Sequence, residues 1–409
     1  MRSRLKKVLE AVAFVLLAGV VLSLTWWLVR TIKIDKYRLA FMKSGFPESY
    51  ASELAVLKYD YPRWQFDLRP IGDIAWNEIV ERECSPSWNL VIYSSWAPEG
   101  WRQYGVTNYT PYYAANAKAY DSGAWYQASR ETIAYFMDPR NFLNEREVFM
   151  FETLGHDEET DAEETVERVL APTFMAKANY DGGNERFARL IADVGRRLGV
   201  SSVFLASRLA SEQGAGSPQS FGTIGDSLTS LYTNGSDRVG NAVVWGKTFK
   251  RDGANTAAVV AKGKDCYNGY YNFFNFRAYG TGVFEIRYNA WREATSKETC
   301  ERYHGPWNTQ RRAIEGGSKK IKEMYVDTSR HTRYFQKFSV LPQAGKFRWK
   351  QYMQNIAAPL LESRNTSRAY EAMGLLKTPH RFEIPVYMNM PPRRSPDPAG
   401  GRSVYSSSR

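Results

Sequence analysis

One carboxylate in this sequence stands where a proton donor could act. The stretch 205–218 reads LASRLASEQGAGSP, in which apolar residues at helical spacing end in Glu212 and a loop of small residues follows at once. Gly214 and Gly216 end the predicted helix, and the charge of Arg208 is expected on its outer face. A helix C-terminus and partial burial both disfavour a negative charge, so the pKa of Glu212 should rise toward about 6. Such a carboxyl group suits general acid catalysis, and the alternative is an ordinary exposed Glu near a helix end.

A second distinctive stretch, residues 267–279, reads YNGYYNFFNFRAY. Together, RLASEQGAGSP and YYNFFNF resemble the peptidoglycan-cleaving endo-β-N-acetylglucosaminidases of glycoside hydrolase family 73, especially the membrane-attached Gram-positive type. The resemblance extends from about Gly45 to Pro392 through further short segments. These include GFPESYASELAVLKYDYPRWQF, AYFMDPRNFL, PWNTQRRAIEGGSKKIKEMYV, YMQNIAAP and IPVYMNMPP.

This resemblance implies a substrate and a set of site residues. The substrate would be the β-1,4 bond between N-acetylglucosamine and N-acetylmuramic acid in peptidoglycan strands, with Glu212 as the catalytic acid. Tyr271 is the second expected catalytic residue, which would orient or stabilise the 2-acetamido group of the sugar in a substrate-assisted mechanism. The expected substrate-binding residues are Gln213, Asn272, Phe274, Asn275 and Trp307.

A second carboxylate would be the usual partner of a glycosidase acid. Four aspartates lie in the long insertion between the two motifs, and spacing does not choose among them: Asp226, Asp237, Asp252 and Asp265. Two other functions also stay open. A lytic transglycosylase works on the same fold with one Glu and forms an anhydro-sugar, and a non-catalytic wall-binding scaffold could keep the fold without the reaction.

The elements around these residues predict a mainly helical α+β fold with a lysozyme-like catalytic domain at 156–392. NERFARLIADVGRRLGV predicts an amphipathic helix that ends at Gly199, and the Glu212 helix follows with Ser201 or Ser202 as its cap. Thr160 and Glu163 have the spacing of a capping box. The stretch SLYTNGSDRVGNAVVWGKTFKRDG predicts a β-hairpin, which the resemblance places at the border of the cleft.

Other local patterns predict further elements. RWQFDL predicts a strand, DIAWNEIVER a helix with Asp73 as its cap, and TRYFQKFSVLP a short strand-like stretch. In NTQRRAIEGGSKKIKEMYV, Asn308 or Thr309 is the expected cap and Gly316-Gly317 should permit close packing. Residues 30–155 are expected to form a smaller aromatic-rich accessory domain, and residues 393–409 a disordered Pro/Gly/Ser-rich tail.

The N-terminus predicts a membrane anchor. Residues 11–29 contain no charged side chain, and a stretch of this length can span a bilayer as a helix. Trp26 and Trp27 lie near the far end of the stretch, where indole rings prefer the interface. Basic residues flank both sides of the span, so its orientation follows from the resemblance: residues 1–10 form a cytoplasmic tail and the body is extracytoplasmic. The expected partners are peptidoglycan strands and membrane lipid, with a second membrane protein as a further candidate.

Charge and cysteine usage complete the expectations. The formal net charge of +12 favours an anionic partner such as wall teichoic acid, and no nucleic-acid motif is present. The four His are scattered, so we expect neither a metal nor another cofactor. An exported chain can keep disulfides, and the hypothesis is a bridge from Cys266 to Cys300 with Cys84 as the odd thiol; three free thiols are the alternative.

Overall fold

The computed structural model describes residues 2–85, 88–92, 99–101, 125–213, 250–251, 254–255, 270–278, 283–338, 340–341, 351–352 and 354–399. Helices dominate these residues and strands are few, so the expected mainly helical α+β class is confirmed. The helices are α1 (Arg2–Lys43), α2 (Glu48–Asp60), α3 (Trp76–Glu83), α4 (Arg130–Met137), α5 (Glu163–Leu170), α6 (Phe187–Leu198), α7 (Ser202–Gln213), α8 (Val283–Ala294), α9 (Lys297–Arg302), α10 (Gln310–Ile321), α11 (Arg333–Lys337) and α12 (Ala358–Ala372).

The strands form three small two-stranded pairs in the described part of the chain. They are β1 (Gln65–Ala75), β2 (Leu90–Ile92), β3 (Trp125–Gln127), β4 (Lys250–Arg251), β5 (Ala254–Asn255) and β6 (Arg381–Met388). β1 begins at Gln65, within the predicted RWQFDL strand, and pairs in parallel with β6, whereas β2 pairs with β3 and β4 with β5 in antiparallel fashion. Most of the predicted cleft hairpin lies outside the described residues.

One hydrophobic core includes side chains from both sides of the expected domain boundary at residue 155. The fully buried ring of Trp64 lies 5.0 Å from that of Phe382 and 5.5 Å from that of Phe149, measured between centroids. Buried Arg333 forms an ion pair with Glu152 at 3.2 Å across the same boundary. The expected accessory region and catalytic region are therefore packed as one unit along this face, because the parallel pair joins the start and the end of the body.

The helix that ends in Glu212 is fixed at its beginning by two side chains. The Ser201 hydroxyl accepts a hydrogen bond from the Phe204 amide at 3.1 Å, so the predicted cap is confirmed. Asp161 accepts from the Val203 amide and from the Ser201 hydroxyl, each at 2.8 Å. These acceptors satisfy amides that have no partner within the first turn of a helix, and they set the direction of α7. Gly199 ends the preceding α6 in a left-handed conformation, as predicted.

Two predicted caps are wrong. α5 begins at Glu163 after Ala162, which supplies no side-chain cap, because Thr160 belongs to a preceding turn whose amides bond to Asp157. Asp73 lies within β1, which continues to Ala75 through its pairing with β6.

Two other predictions also fail. TRYFQKF is helical in α11, whose Thr332 cap accepts from the Phe335 amide, rather than strand-like. Its residues are almost all buried, and a short buried segment shows no period that separates a helix from a strand. The start of the expected disordered tail, 393–399, packs against the body instead. The Ser395 amide donates to Asp138 at 2.8 Å, and the Trp101 indole donates to Asp397 at 2.8 Å.

The double glycine of α10 allows the close packing that the sequence predicts. A Cβ atom at Gly316 would lie 1.9 Å from the carbonyl oxygen of Tyr303, and one at Gly317 would lie 2.3 Å from the ring of Phe274. The helix is continuous through both residues, and Thr309 caps it by accepting from the Arg312 amide. Because both residues lack a side chain, the loop before α10, which contains the cis peptide bond Gly305–Pro306, and the ring of Phe274 can pack directly on the helix backbone.

We expect Gly316→Ala to destabilise the protein although alanine favours helices. An alanine inside a helix normally gains stability over glycine, but here the methyl group meets a backbone carbonyl, and overpacking of this kind costs about 1–3 kcal/mol. Thermal unfolding of the full-length protein in detergent should show a lower Tm. Arg189→Ala, at an exposed position of α6, should leave the Tm almost unchanged; a Gly316→Ala protein as stable as that control would contradict the packing described.

Candidate active site

Glu212 lies in the last turn of α7, where the loop 271–278 closes against the helix end. Its carboxylate oxygen Oε2 accepts a hydrogen bond from Nδ2 of Asn275 at 2.9 Å, and the same nitrogen lies 3.2 Å from the Glu212 carbonyl oxygen. Asn275 adopts a positive φ of 52°, a conformation that Asn tolerates better than most residues. The two motifs singled out in the sequence, far apart along the chain, therefore meet at this carboxylate.

The surroundings of Glu212 raise its pKa to about 7. Burial is the largest cause, since it removes water from the charged form. Hydrogen bonds from Asn275 and Tyr352 and the positive charge of Arg208 act in the opposite direction, and the negative charge of Glu362 adds to the rise. The effect of desolvation on the pKa is larger than the combined effect of these donors, so a substantial fraction of the carboxyl groups is protonated near neutral pH. The direction agrees with the sequence prediction.

Tyr352 and Arg208 are site residues that the sequence analysis missed. The Tyr352 hydroxyl donates a hydrogen bond to the carbonyl oxygen of Phe274 at 3.3 Å, and its interaction with the Glu212 carboxylate helps to hold the pKa of that group down. The ring of Tyr352 covers the guanidinium of Arg208, with 3.4 Å between its centroid and Cζ. The segment YMQNIAAP contributes to the resemblance, but nothing in its spacing indicates that its tyrosine lies beside Glu212.

The expectation that Arg208 points outward is wrong, because its side chain is buried behind the carboxylate. Nε of Arg208 lies 2.8 Å from the buried carboxylate of Glu362, and Nη2 donates to Oε1 of Gln336 at 2.8 Å. Glu362 in turn lies 3.7 Å from Nε of Arg333. Arg208 precedes Glu212 by one helical turn, so this inward charge lies directly beneath the acid. The one available signal was that an Arg one turn before a buried Glu can share its environment.

Asn272 holds the loop together in the structure and does not present its amide to a ligand. It is fully buried, its Nδ2 donates to the carbonyl oxygens of Phe276 at 2.8 Å and Ala290 at 3.3 Å, and its Oδ1 accepts from the Phe276 amide at 3.0 Å. Every one of these partners is main chain. In the structure Asn272 therefore positions the loop that carries Asn275, and its sugar-binding role stays a prediction.

Three other expected binding residues also lie within the fold. The Phe274 ring packs on α10 at Gly317, and the buried indole of Trp307 donates to the Tyr303 carbonyl oxygen at 2.7 Å. Nε2 of Gln213, buried at the helix end, donates to the Phe273 carbonyl oxygen at 2.6 Å. These contacts lock α7, the loop and α10 together, so the residues shape the site from behind.

Tyr271 keeps a half-buried ring at the start of the loop. The ring stacks in parallel on that of Phe273, with centroids 6.0 Å apart, and its backbone amide donates to the Trp307 carbonyl oxygen at 2.9 Å. Its position before Asn272 places it on the same loop as the amide that holds Glu212. Tyr271 therefore stays a candidate for the second catalytic residue.

Several expected groups lie outside the described residues. These are the four candidate second acids, Asp226, Asp237, Asp252 and Asp265, and Cys266. Cys300, the described half of the expected bridge, is a free and exposed thiol, which goes against the bridge, and Cys84 is free and buried. Within the described part of the chain, no group of three or more His, Cys, Asp or Glu side chains could hold a metal ion.

Comparison with known proteins gives structural likenesses at low identity. No family model matches the chain, and no curated protein matches it. Among solved structures, glucosaminidase B of S. aureus is 16% identical, with 80% of this chain and 94% of that chain covered and a TM-score of 0.41. A major bifunctional autolysin is 14% identical over 80% of this chain and 98% of its own, with a TM-score of 0.39. A catalytic mutant of S. aureus autolysin E in complex with the disaccharide NAG-NAM is 13% identical over 78% and 99%, with a TM-score of 0.41.

Proposed function

We propose that this protein hydrolyses the β-1,4 bond between N-acetylglucosamine and N-acetylmuramic acid in peptidoglycan, with Glu212 as the general acid. The observation that carries the proposal is the meeting of the two motifs at one carboxyl group whose pKa is about 7. A proton donor for a glycosidic oxygen must be protonated near the working pH and held at the edge of a loop that a substrate can reach. The motif resemblance supplies the substrate class.

The roles of the surrounding residues follow from their contacts. Protonated Glu212 gives its proton to the glycosidic oxygen as the bond to the anomeric carbon breaks. Asn275 holds the carboxyl group by a hydrogen bond to Oε2, which gives the preorganisation that such a transfer needs, and Tyr352 contributes a second polar group beside it. The carboxylate that remains can then take a proton from the water that completes the hydrolysis.

The positive charge that develops on the sugar must also be stabilised. In a substrate-assisted course, the oxygen of the 2-acetamido group attacks the anomeric carbon, and Tyr271 orients that group until water opens the ring so formed. In the other course a second carboxylate does this work, and Asp226, Asp237, Asp252 and Asp265 are its candidates. Glu362 does not fit that role, because it is buried and paired with Arg208.

The proposal includes an anchored, extracytoplasmic enzyme. Among the described residues, one helical segment, Phe14–Lys43, is long and apolar enough to cross a membrane, and its most apolar stretch of 18 residues has a mean hydropathy of 1.8. The large apolar side chains from Phe14 to Val29 are exposed to the surroundings of the protein, as a lipid-facing helix requires. The partners in this arrangement are glycan strands and membrane lipid, and a second membrane protein is a further candidate.

Digestion of purified glycan strands by the full-length protein in detergent tests this function. We expect mass spectrometry to show products with N-acetylglucosamine at the new reducing end and the mass of one added water. An anhydro-sugar end would instead identify a lytic transglycosylase, and N-acetylmuramic acid at the new end would contradict the bond assignment. Intact strands after long incubation with folded protein would favour the non-catalytic scaffold.

A further inference from the structure

The N-terminal helix does not end where its apolar run ends. α1 continues without interruption from Val29, the last residue of the uncharged apolar run, to Lys43. The large apolar side chains from Phe14 to Val29 are exposed, but from Arg30 onward one face of the helix becomes partly covered. The covered positions recur every three or four residues, at Arg30, Ile34, Tyr37 and Phe41. This spacing describes a helix that packs along one side as soon as it leaves the apolar segment.

The covering element is α2, which runs back along α1. The Phe41 ring contacts that of Phe46 with centroids 5.7 Å apart, and Nη1 of Arg38 lies 2.9 Å from the carboxylate of Glu48. At the other end, Cζ of Arg30 lies 5.4 Å from the ring centroid of Tyr59. Residue numbers fall along α1 as they rise along α2, so the two helices are antiparallel. Each helical residue advances about 1.5 Å, so α2 returns roughly 20 Å and ends beside Arg30.

The returning end of α2 is fixed to the body. Nζ of Lys58 donates to the carbonyl oxygens of Pro62 and Trp64, each at 2.7 Å. The Tyr61 ring stacks on that of Trp64 with 4.0 Å between centroids, and Trp64 is fully buried in the core. The turn after α2 is thus rigidly joined to the core and does not act as a flexible linker.

We propose that the turn 59–63 rests on the lipid headgroups of the membrane and holds the whole body against the bilayer surface. The inference depends on the proposed anchor, because Arg30 lies at headgroup level only if the preceding residues span the membrane. Tyr59 touches Arg30 and must then lie at the same level, where tyrosine rings are favoured. Arg63 is exposed nearby, and its pairing with Glu159 at 3.4 Å is a surface contact that phosphate groups can compete with.

This arrangement restricts which substrate the site can reach. A flexible tether would let the catalytic loop sample the wall at many heights, whereas an antiparallel helix pair fixes the body at one height. The glycan that reaches Glu212 must then lie within a body's width of the membrane, which is where newly made strands first occur. The turn at Ser44, at the opposite end of the pair, marks the side that faces away from the lipid.

Labels at three positions test the proposal in the full-length protein. Cys266 and Cys300 are replaced by serine, and Cys84 stays because burial raises its pKa to about 12 and keeps it unreactive. Single cysteines are then placed at Trp27, at Pro62 or at Ser44 and labelled with a fluorophore. The proteins are reconstituted in phosphatidylcholine–phosphatidylglycerol vesicles with headgroup-linked or chain-linked nitroxide quenchers.

We expect chain-linked quenchers to remove most of the fluorescence at Trp27→Cys and headgroup-linked quenchers to remove most of it at Pro62→Cys. Ser44→Cys should keep nearly all of its fluorescence with both. Quenching at position 27 without quenching at position 62 would overturn the contact and leave the anchor intact. Absence of quenching at position 27 would refute both the anchor and the contact, irrespective of whether the protein cleaves glycan.

A matched variant separates contact from mere proximity. A Gly/Ser insert of 12 residues between Val29 and Arg30 keeps the helix pair whole and adds a flexible spacer with a reach of about 20 Å. In this variant the label at position 62 should lose most of its headgroup quenching, and the label at position 27 should keep its chain quenching. Unchanged quenching at position 62 would mean that the body binds lipid without the fixed helix pair, which contradicts the mechanism proposed.

Discussion

Glu212→Gln should lower the rate of glycan cleavage roughly 100- to 10,000-fold while leaving glycan binding in place. The glutamine side chain has the shape of the acid and can still accept the hydrogen bond from Asn275 at its position in the loop. It cannot release a proton to the glycosidic oxygen, so only the transition state loses an interaction. Turnover of purified strands and equilibrium binding of a strand fragment measure the two effects separately.

The pH dependence of the wild-type enzyme makes the assignment more specific. Glu212 donates a proton in the first step, so kcat/KM should fall as pH rises through its pKa of about 7. The activity that remains in Glu212→Gln should not show this fall of kcat/KM at alkaline pH (the alkaline limb). Glu164→Gln, the same chemical change at an exposed position in α5, should keep both the rate and the limb.

Stability supplies a check against misfolding. The pKa of Glu212 is about 7 in the folded protein against an ordinary value of 4.5, so the folded state binds the proton more tightly than the unfolded chain does. The unfolded chain therefore ionises at a lower pH than the folded protein, and the free energy of unfolding falls as pH rises from about 4.5 to 7, by roughly 3 kcal/mol in total. Glu212→Gln removes this loss and should unfold at a higher temperature than wild type at pH 8. A variant that is inactive but less stable at pH 8 would point to damage, and near wild-type cleavage would exclude Glu212 as the acid.

Short-range rules account for most of what the sequence predicted correctly. The Ser201 cap and the end of α6 at Gly199 each depend on residues within one or two turns. The same holds for the Thr309 cap and the glycine pair of α10, whose absent side chains can be read from the sequence directly. Such features need no knowledge of distant contacts.

At the site, the differences concern side chains whose partners no local pattern in the sequence reveals. Arg208 was expected to face solvent because Arg is usually exposed, but Glu362 in α12 supplies a buried partner for it. Asn272 is expected to bind sugar because a cleft-lining amide can do so, but in the structure both the nitrogen and the oxygen of its side-chain amide form hydrogen bonds within its own loop. No local pattern separates an Asn that binds a ligand from an Asn that binds its own backbone.

Arg208→Met should be the most damaging change behind the site, and its effect should differ from that of a purely structural variant. Glu362 would lose the guanidinium 2.8 Å away and keep only Arg333 at 3.7 Å. Removing one partner of a buried ion pair costs about 3–5 kcal/mol, because the remaining charge stays buried. Thermal unfolding of the full-length protein should show a large drop in Tm, and Arg208→Lys, which keeps the charge, should show a smaller one.

The same variant should move the pH dependence of cleavage upward. The charge of Arg208 lowers the pKa of Glu212, so its loss raises that pKa and shifts the alkaline limb of kcat/KM to higher pH. The charge of Glu362 raises the pKa of Glu212, so Glu362→Gln should shift the limb to lower pH. Arg208 and Glu362 act here as positioning residues, since neither is expected to touch the sugar.

Opposite shifts from two partners of one ion pair are difficult to obtain by general destabilisation. Both single variants weaken the same buried pair, so a structural effect alone would change the limb in one direction or leave it unchanged. The double variant Arg208→Met with Glu362→Gln removes both charges, so its limb should return toward that of wild type and its Tm should exceed that of Arg208→Met, because no lone buried carboxylate remains. Equal limbs in all four proteins would show that the acid that titrates in catalysis is not the one above Arg208.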